Sequence, residues 1–61
     1  MNIKAGQIWK SKITGGEIEV MYQEVSEWVG VKILGTTMLE PYVEISSKAF
    51  GTNLELITDI E

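Results

Sequence analysis

The sequence feature that most constrains the fold is an alternation of apolar and polar residues in "EIEVMYQE", residues 17–24. Ile18, Val20 and Tyr22 recur at every second position, which places them on one face of an extended chain. Val25 falls out of this phase, so we expect a β-bulge or the end of the strand there. The pattern predicts a half-buried β-strand whose even-numbered side chains face a core.

A further strand is predicted for "WVGVKIL", residues 28–34, which a short turn at residues 26–27 joins to the first pattern. Val29, Val31 and Ile33 share one face of this strand. Because that face is entirely β-branched, we expect it to lie in the core.

An earlier strand is predicted for "QIWKSKI", residues 7–13, where Ile8 is assigned to the core face and Trp9 to the opposite face. The glycines Gly15 and Gly16 follow it, and both are expected at positive φ in a tight primed turn. Together these segments predict an N-terminal β-hairpin.

A fourth strand is predicted for "MLEPYVEIS", residues 38–46, which lies at a sheet edge or begins near Pro41, since proline cannot donate to a β-ladder. The residues expected on one face are Leu39, Pro41, Val43 and Ile45. In "SSKAFG", Ser46 or Ser47 is expected to cap one helical turn that ends at Gly51, with Phe50 in the core. A fifth strand, residues 53–60, should turn two leucines inward. They are Leu54 and Leu56.

Five short strands with one helical turn before the last predict an all-β domain spanning residues 1–61, closed into a barrel that leaves no exposed edges. This order resembles a small SH3-like barrel over nearly the whole chain. The segment "GQIWKSKITGGEIEV" is in addition similar to the start of small phage and prophage proteins, and that resemblance implies a phage setting and no particular activity.

Composition excludes several classes of function. The chain of 61 residues has neither Cys nor His, so it offers no disulfide, no thiolate or imidazole ligand for zinc, and no histidine base for a serine nucleophile. Its net charge is −4 and it lacks Arg, which argues against binding to duplex nucleic acid. No apolar segment is long enough to span a membrane, and no signal peptide is evident. We predict a bacterial cytoplasmic protein that is not an enzyme and has no cofactor or metal.

Exposed aromatic and methionine side chains give the strongest sign of an interaction, because such residues are enriched in interfaces. The predicted binding residues are Trp9, Trp28, Met21, Tyr42 and Met38. An equally weighted alternative is that the tryptophans cover an open end of the barrel. An acidic rim is expected at Glu17, Glu19, Glu40 and Glu44, with Glu24 and Glu27 adding to it.

Three lysines lie near Trp9 and could contact an anion. They are Lys4, Lys10 and Lys12. Glu17 and Glu19 lie across the hairpin, so cross-strand pairing with these lysines is the simpler interpretation.

The sequence therefore predicts a small binding protein, phage-encoded, that binds a host or self protein and inhibits a host defence or nucleic-acid-binding protein. Homodimers or higher oligomers are expected to use the same surface. The alternative is a protein that sequesters a nucleotide or another small anion at an oligomer interface.

Overall fold

The computed structural model of the protein describes residues 3–23 and 27–60. The strands are β1 (Ile8–Ser11), β2 (Glu17–Gln23), β3 (Trp28–Ile33), β4 (Tyr42–Ser46) and β5 (Leu54–Thr58). They form one antiparallel sheet in the order β4-β3-β2-β1-β5, with a 3-10 turn (Ser47–Ala49) between β4 and β5. The predicted all-β class and the helical turn before the last strand are confirmed. Closure of the sheet into an SH3-like barrel stays a prediction.

The core lies on one face of this sheet. The buried apolar side chains among the described residues are Trp9, Ile18, Val20, Val29, Val31, Phe50 and Leu54. Ile33 packs against this cluster from its edge. The period-two pattern therefore assigned most of the core of β2 and β3 correctly. Leu56 was also predicted inward, but it is 41% exposed on β5, which is an edge strand of the sheet.

The first hairpin has a wider loop than the tight turn predicted from its glycines. β1 ends at Ser11 and not at Ile13, because the Ser11 hydroxyl accepts hydrogen bonds from the backbone N–H groups of Ile13 and Thr14, both at 3.1 Å. Gly15 has a φ of +79°, whereas Gly16 does not adopt a positive φ. The prediction of two left-handed glycines is wrong at Gly16, since a longer loop does not need the paired positive φ angles of a two-residue turn.

Trp9 is the largest correction to the predicted orientations. Its side chain is 4% exposed and packs edge-on against Phe50, with ring centroids 5.0 Å apart at 84°. Ile8, which was assigned to the core, is only half-buried on the opposite face. Burying the larger indole removes more apolar surface from water, and Phe50 provides the cover that it needs. Trp9 is therefore a core residue and not part of an exposed surface.

The 3-10 turn before β5 positions Phe50 over Trp9. Ser46 caps the turn by accepting a hydrogen bond from the backbone N–H of Lys48 at 3.3 Å. Gly51 follows with a φ of +90°, a conformation that glycine adopts without steric cost. The predicted cap, the inward Phe50 and the terminating glycine are confirmed.

A buried amide joins the segment before β1 to the segment after β5. Gln7 is 1% exposed, and its Oε1 accepts hydrogen bonds from Trp9 Nε1 at 3.1 Å and from the backbone N–H of Lys4 at 2.9 Å. Its Nε2 donates to Asp59 Oδ1 at 2.8 Å. This hydrogen bond, followed by one from the backbone N–H of Ile60, lowers the pKa of Asp59 below its ordinary value. Gln7 thus satisfies the indole N–H that the burial of Trp9 would otherwise leave without a partner.

The fourth strand lies at an edge of the sheet and begins next to Pro41, as predicted, but it does not include residues 38–41. β4 begins at Tyr42, one residue after Pro41, whose carbonyl accepts a hydrogen bond from the N–H of Ile33 at 2.8 Å. Pro41 is buried, but Leu39 is 99% exposed and Val43 is 39% exposed, so the expected apolar face holds only in part. Without a donor at Pro41, the ladder does not extend back to Leu39.

Candidate binding surface

The side of the sheet opposite the core brings residues from neighbouring strands into rows. Tyr22 on β2 pairs with Gly30 on β3, and Gly30 pairs in turn with Glu44 on β4. In the next row along β3, Lys32 lies between Glu19 and Tyr42. Because directly paired residues project from the same face, these side chains share one surface.

Tyr22 reaches this surface because of an irregularity in β2. The pairing register shifts between Val20 and Tyr22, so that Val20 opposes Val31 and Tyr22 opposes Gly30, with Met21 between them. A β-bulge of this kind transfers the following side chain to the other face of the sheet. The prediction that Tyr22 faces the core is therefore wrong, and its ring is 48% exposed. The bulge proposed at Val25 lies outside the described residues.

Gly30 leaves a gap in β3 that the Tyr22 ring covers. A Cβ atom at position 30 would collide with Cε1 and Cζ of Tyr22. Glycine inside a strand commonly marks such a close approach.

A groove with a volume of about 280 Å³ lies over Gly30. Its lining residues are Met21, Tyr22, Gly30, Val31, Tyr42, Val43 and Glu44. Two tyrosines, a methionine and one carboxylate thus line the groove, and Gly30 contributes only backbone atoms to it.

Tyr42 separates this groove from a second depression of about 410 Å³ beside the segment that connects β3 to β4. Met38 and Leu39 line the second depression and are 56% and 99% exposed. Tyr42 lines both depressions, so the exposed apolar surface continues from the groove to Met38 and Leu39, beyond the start of β4.

Trp28 lies on the same side of the sheet as Gly30. It pairs with Ser46, two residues before Gly30 on β3, and is 46% exposed. We call Met21, Tyr22, Trp28, Tyr42 and Met38 the aromatic face.

Of the predicted binding residues, the structure brings Met21 and Tyr42 together in the groove, places Met38 beside Tyr42, and leaves Trp9 in the core. The sequence prediction missed Tyr22. Gly30 was the sequence signal that could have identified Tyr22. A glycine between two valines in a strand often marks a site that a side chain from a neighbouring strand covers.

The charged residues of this side are mostly arranged in opposite-sign pairs. Lys10 lies between Glu17 on β2 and Glu55 on β5, and Lys32 opposes Glu19. None of these pairs reaches ion-pair distance within residues 3–23 and 27–60. Of the three lysines expected to pair across the hairpin, only Lys10 is in register with a predicted partner, Glu17, whereas Glu19 opposes Ile8 on β1 and Lys32 on β3.

The remaining predicted charges lie elsewhere. Lys4 and Lys12 are exposed and outside the strands, and Glu40 is exposed in the segment before β4. Glu27 and Lys48 approach to 3.9 Å, but both are largely exposed, so their ion pair contributes little to stability. Glu24 lies outside the described residues.

Two kinds of feature are absent from the described residues. Across 3–23 and 27–60, no three acidic side chains come close enough to hold a metal ion. In the same part of the chain, no helix is long and apolar enough to cross a membrane. The chain matches no protein-family model, no curated protein and no solved structure. The function must therefore be argued from the surface itself.

Proposed function

We propose that the protein is a non-enzymatic binding protein whose partner docks on the aromatic face. The observation that supports this is the grouping of Tyr22, Trp28 and Tyr42 on one side of the sheet, each 46% to 58% exposed. Trp9 and Phe50 are buried, whereas these three rings are exposed to water and are therefore available to contact a partner. Tyrosine, tryptophan and methionine at the centre of an interface contribute much of its binding energy.

The partner we propose is a host protein with a basic surface or a second copy of this chain. The net charge of −4 and the glutamates around the aromatic face favour approach of a positively charged surface. A nucleic-acid-binding protein of a bacterial host has such a surface. The similarity of the first hairpin to phage and prophage proteins leads us to propose a phage-encoded inhibitor that acts in the host cytoplasm.

We do not extend the proposal to the nucleotide alternative. That alternative uses Trp9, Trp28 and the lysines at an interface between copies. Trp28 is exposed, but Trp9 lies in the core while Lys10 lies on the other side of β1. Stacking on a base would require the indole to leave its contact with Phe50.

The test is capture of bacterial proteins on the immobilised protein with two matched double variants. Tyr22→Ser with Trp28→Ser removes two exposed side chains from the aromatic face. Leu56→Ser with Ile57→Ser removes two side chains of similar exposure from β5. We expect a protein captured by the wild type to be lost with the first variant and kept with the second. Circular dichroism establishes that both variants are folded.

Sedimentation of the same three proteins separates a host partner from self-association. A dimer that dissociates only in the Tyr22 and Trp28 variant identifies a second copy as the occupant of the aromatic face. Capture that survives in this variant, or recovery of nucleic acid alone, contradicts the proposal.

A further inference from the structure

Glu44 differs from the other carboxylates on its side of the sheet in having no lysine opposite it. Glu17 pairs with Lys10 and Glu19 pairs with Lys32, whereas Glu44 pairs with Gly30. In the described part of the chain, no cation lies within ion-pair distance of its carboxylate. β4 is an edge strand, so no further strand supplies one.

This carboxylate lines the groove that Tyr22 and Tyr42 also line. The faces of aromatic rings attract cations, and a nearby carboxylate adds a charge of opposite sign. An anion would meet repulsion from Glu44, and a purely apolar side chain would leave the carboxylate partly desolvated without compensation. A positively charged group with an apolar stem is the chemistry that suits this lining best.

Lysine and arginine side chains have this combination, since an apolar stem ends in a charged head. We propose that the groove over Gly30 receives a lysine or arginine side chain of the protein partner, with its stem against Met21 and its charge between the tyrosines and Glu44. This inference rests on the proposed function, because it names the chemistry that the aromatic face recognises. It goes further by placing a cationic side chain of the partner in the groove over Gly30 and by assigning its attraction to the charge of Glu44.

The floor of the groove is part of the proposal. Gly30 allows the Tyr22 ring to lie close to the backbone of β3, and any larger residue there displaces the ring. Gly30→Ala should therefore weaken binding of the cation without changing any charge.

The experiment is an NMR titration of the ¹⁵N-labelled protein with blocked peptides in which glycine alternates with lysine, glutamine or glutamate. We expect the lysine peptide to shift the backbone amide signals of Tyr22, Gly30 and Glu44, more strongly at low salt. The glutamine and glutamate peptides should leave these signals in place. Glu44→Gln should weaken binding of the lysine peptide by up to about five-fold, the loss expected when an exposed ion pair is removed while the cation–aromatic contact stays.

Glu55→Gln is the matched control. It makes the same change in net charge on an exposed residue of the other edge strand. The control should bind the lysine peptide as the wild type does. Equal weakening in both variants would instead indicate long-range attraction to an acidic protein and would overturn the assignment to the groove. Equal binding of the lysine and glutamine peptides, or no shift with any peptide, would also overturn it.

The outcome is separable from that of the capture experiment. If Glu44→Gln binds the lysine peptide as tightly as the wild type while Tyr22→Ser with Trp28→Ser loses the captured partner, the proposed function stands and the cation site is wrong. If the lysine peptide binds at Gly30 but no protein is captured through the aromatic face, the cation site stands without the proposed function.

Discussion

The two tryptophans of this chain have similar sequence surroundings, but one is buried and the other is exposed. Trp9 follows Ile8 and Trp28 precedes Val29, so in each case a β-branched neighbour competes for the core face. Trp9 is 4% exposed, whereas Trp28 is 46% exposed. The difference shows that the strand pattern alone does not decide which of two apolar neighbours turns inward.

The residues that surround each indole determine whether it is buried. On β1, Phe50 covers the indole and Gln7 accepts its N–H. On β3, Val29 and Val31 already fill the core side, and both are almost completely buried. Trp9 thus becomes a core residue because Phe50, distant in sequence, packs against its ring and Gln7, two residues before it, accepts its N–H.

The largest expected effect comes from truncating each indole in turn. Trp9→Ala should cost about 3–5 kcal/mol of unfolding free energy, as is usual for a buried aromatic residue. A domain of this size has only roughly 3–9 kcal/mol in total, so the variant should be largely unfolded near room temperature. Trp28→Ala should change the unfolding free energy by less than about 1 kcal/mol. Urea denaturation followed by circular dichroism measures both.

Equal stability of Trp9→Ala and Trp28→Ala would contradict the conclusion that only Trp9 contributes to the core. Trp9→Phe is the informative control, because it keeps an aromatic ring beside Phe50 and removes only the N–H. It should be intermediate between the wild type and Trp9→Ala.

The second prediction concerns the hydrogen-bond partner of Trp9. Gln7→Met keeps most of the side-chain volume but leaves Trp9 Nε1 without its acceptor, which should cost about 1–3 kcal/mol. In the Trp9→Phe background the same change should cost clearly less, since one of the donors that needs Gln7 is gone. A double-mutant cycle from urea denaturation measures this coupling, and additive effects would show that Gln7 does not act through the indole.

The third prediction sharpens the description of the exposed side. Gly30→Ala should be unfavourable in the wild type because the new methyl group meets the Tyr22 ring. In a Tyr22→Ala background it should become neutral or stabilising, because alanine restricts the unfolded chain more than glycine does. We expect a coupling free energy of about 0.5–1 kcal/mol between the two positions. Identical effects of Gly30→Ala in both backgrounds would mean that the ring does not cover this glycine.

The smallest expected effect is a pH dependence at Asp59. Its pKa is lowered in the folded state, chiefly by the hydrogen bond from Gln7, so folding favours the carboxylate. This contribution is complete above the ordinary pKa of about 3.9 and is lost as the pH falls through the lower folded value. The wild type should therefore lose more stability on acidification than Asp59→Asn does. Parallel pH profiles of the urea midpoints for the two proteins would contradict the assignment.

The candidate surface was only partly predictable from sequence. Met21 and Tyr42 were assigned outward from alternation, and both line the groove. Tyr22 was assigned inward because it is in phase with Val20, and a register shift of one residue moved it to the other side. A bulge depends on how two strands pair, and a single strand's pattern does not encode that pairing.

The sequence by itself determined the number and order of the strands, the position of the 3-10 turn, and the inward faces around Ile18, Val20, Val29 and Val31. These follow from local rules, since alternation, capping and glycine conformations depend on neighbouring residues. Only the tertiary structure decided that Trp9 is buried, that Leu56 is left uncovered, and that Tyr22 meets Gly30 over a groove. Each of these depends on how separate strands and turns pair and pack against one another, which the pattern of a single strand does not encode.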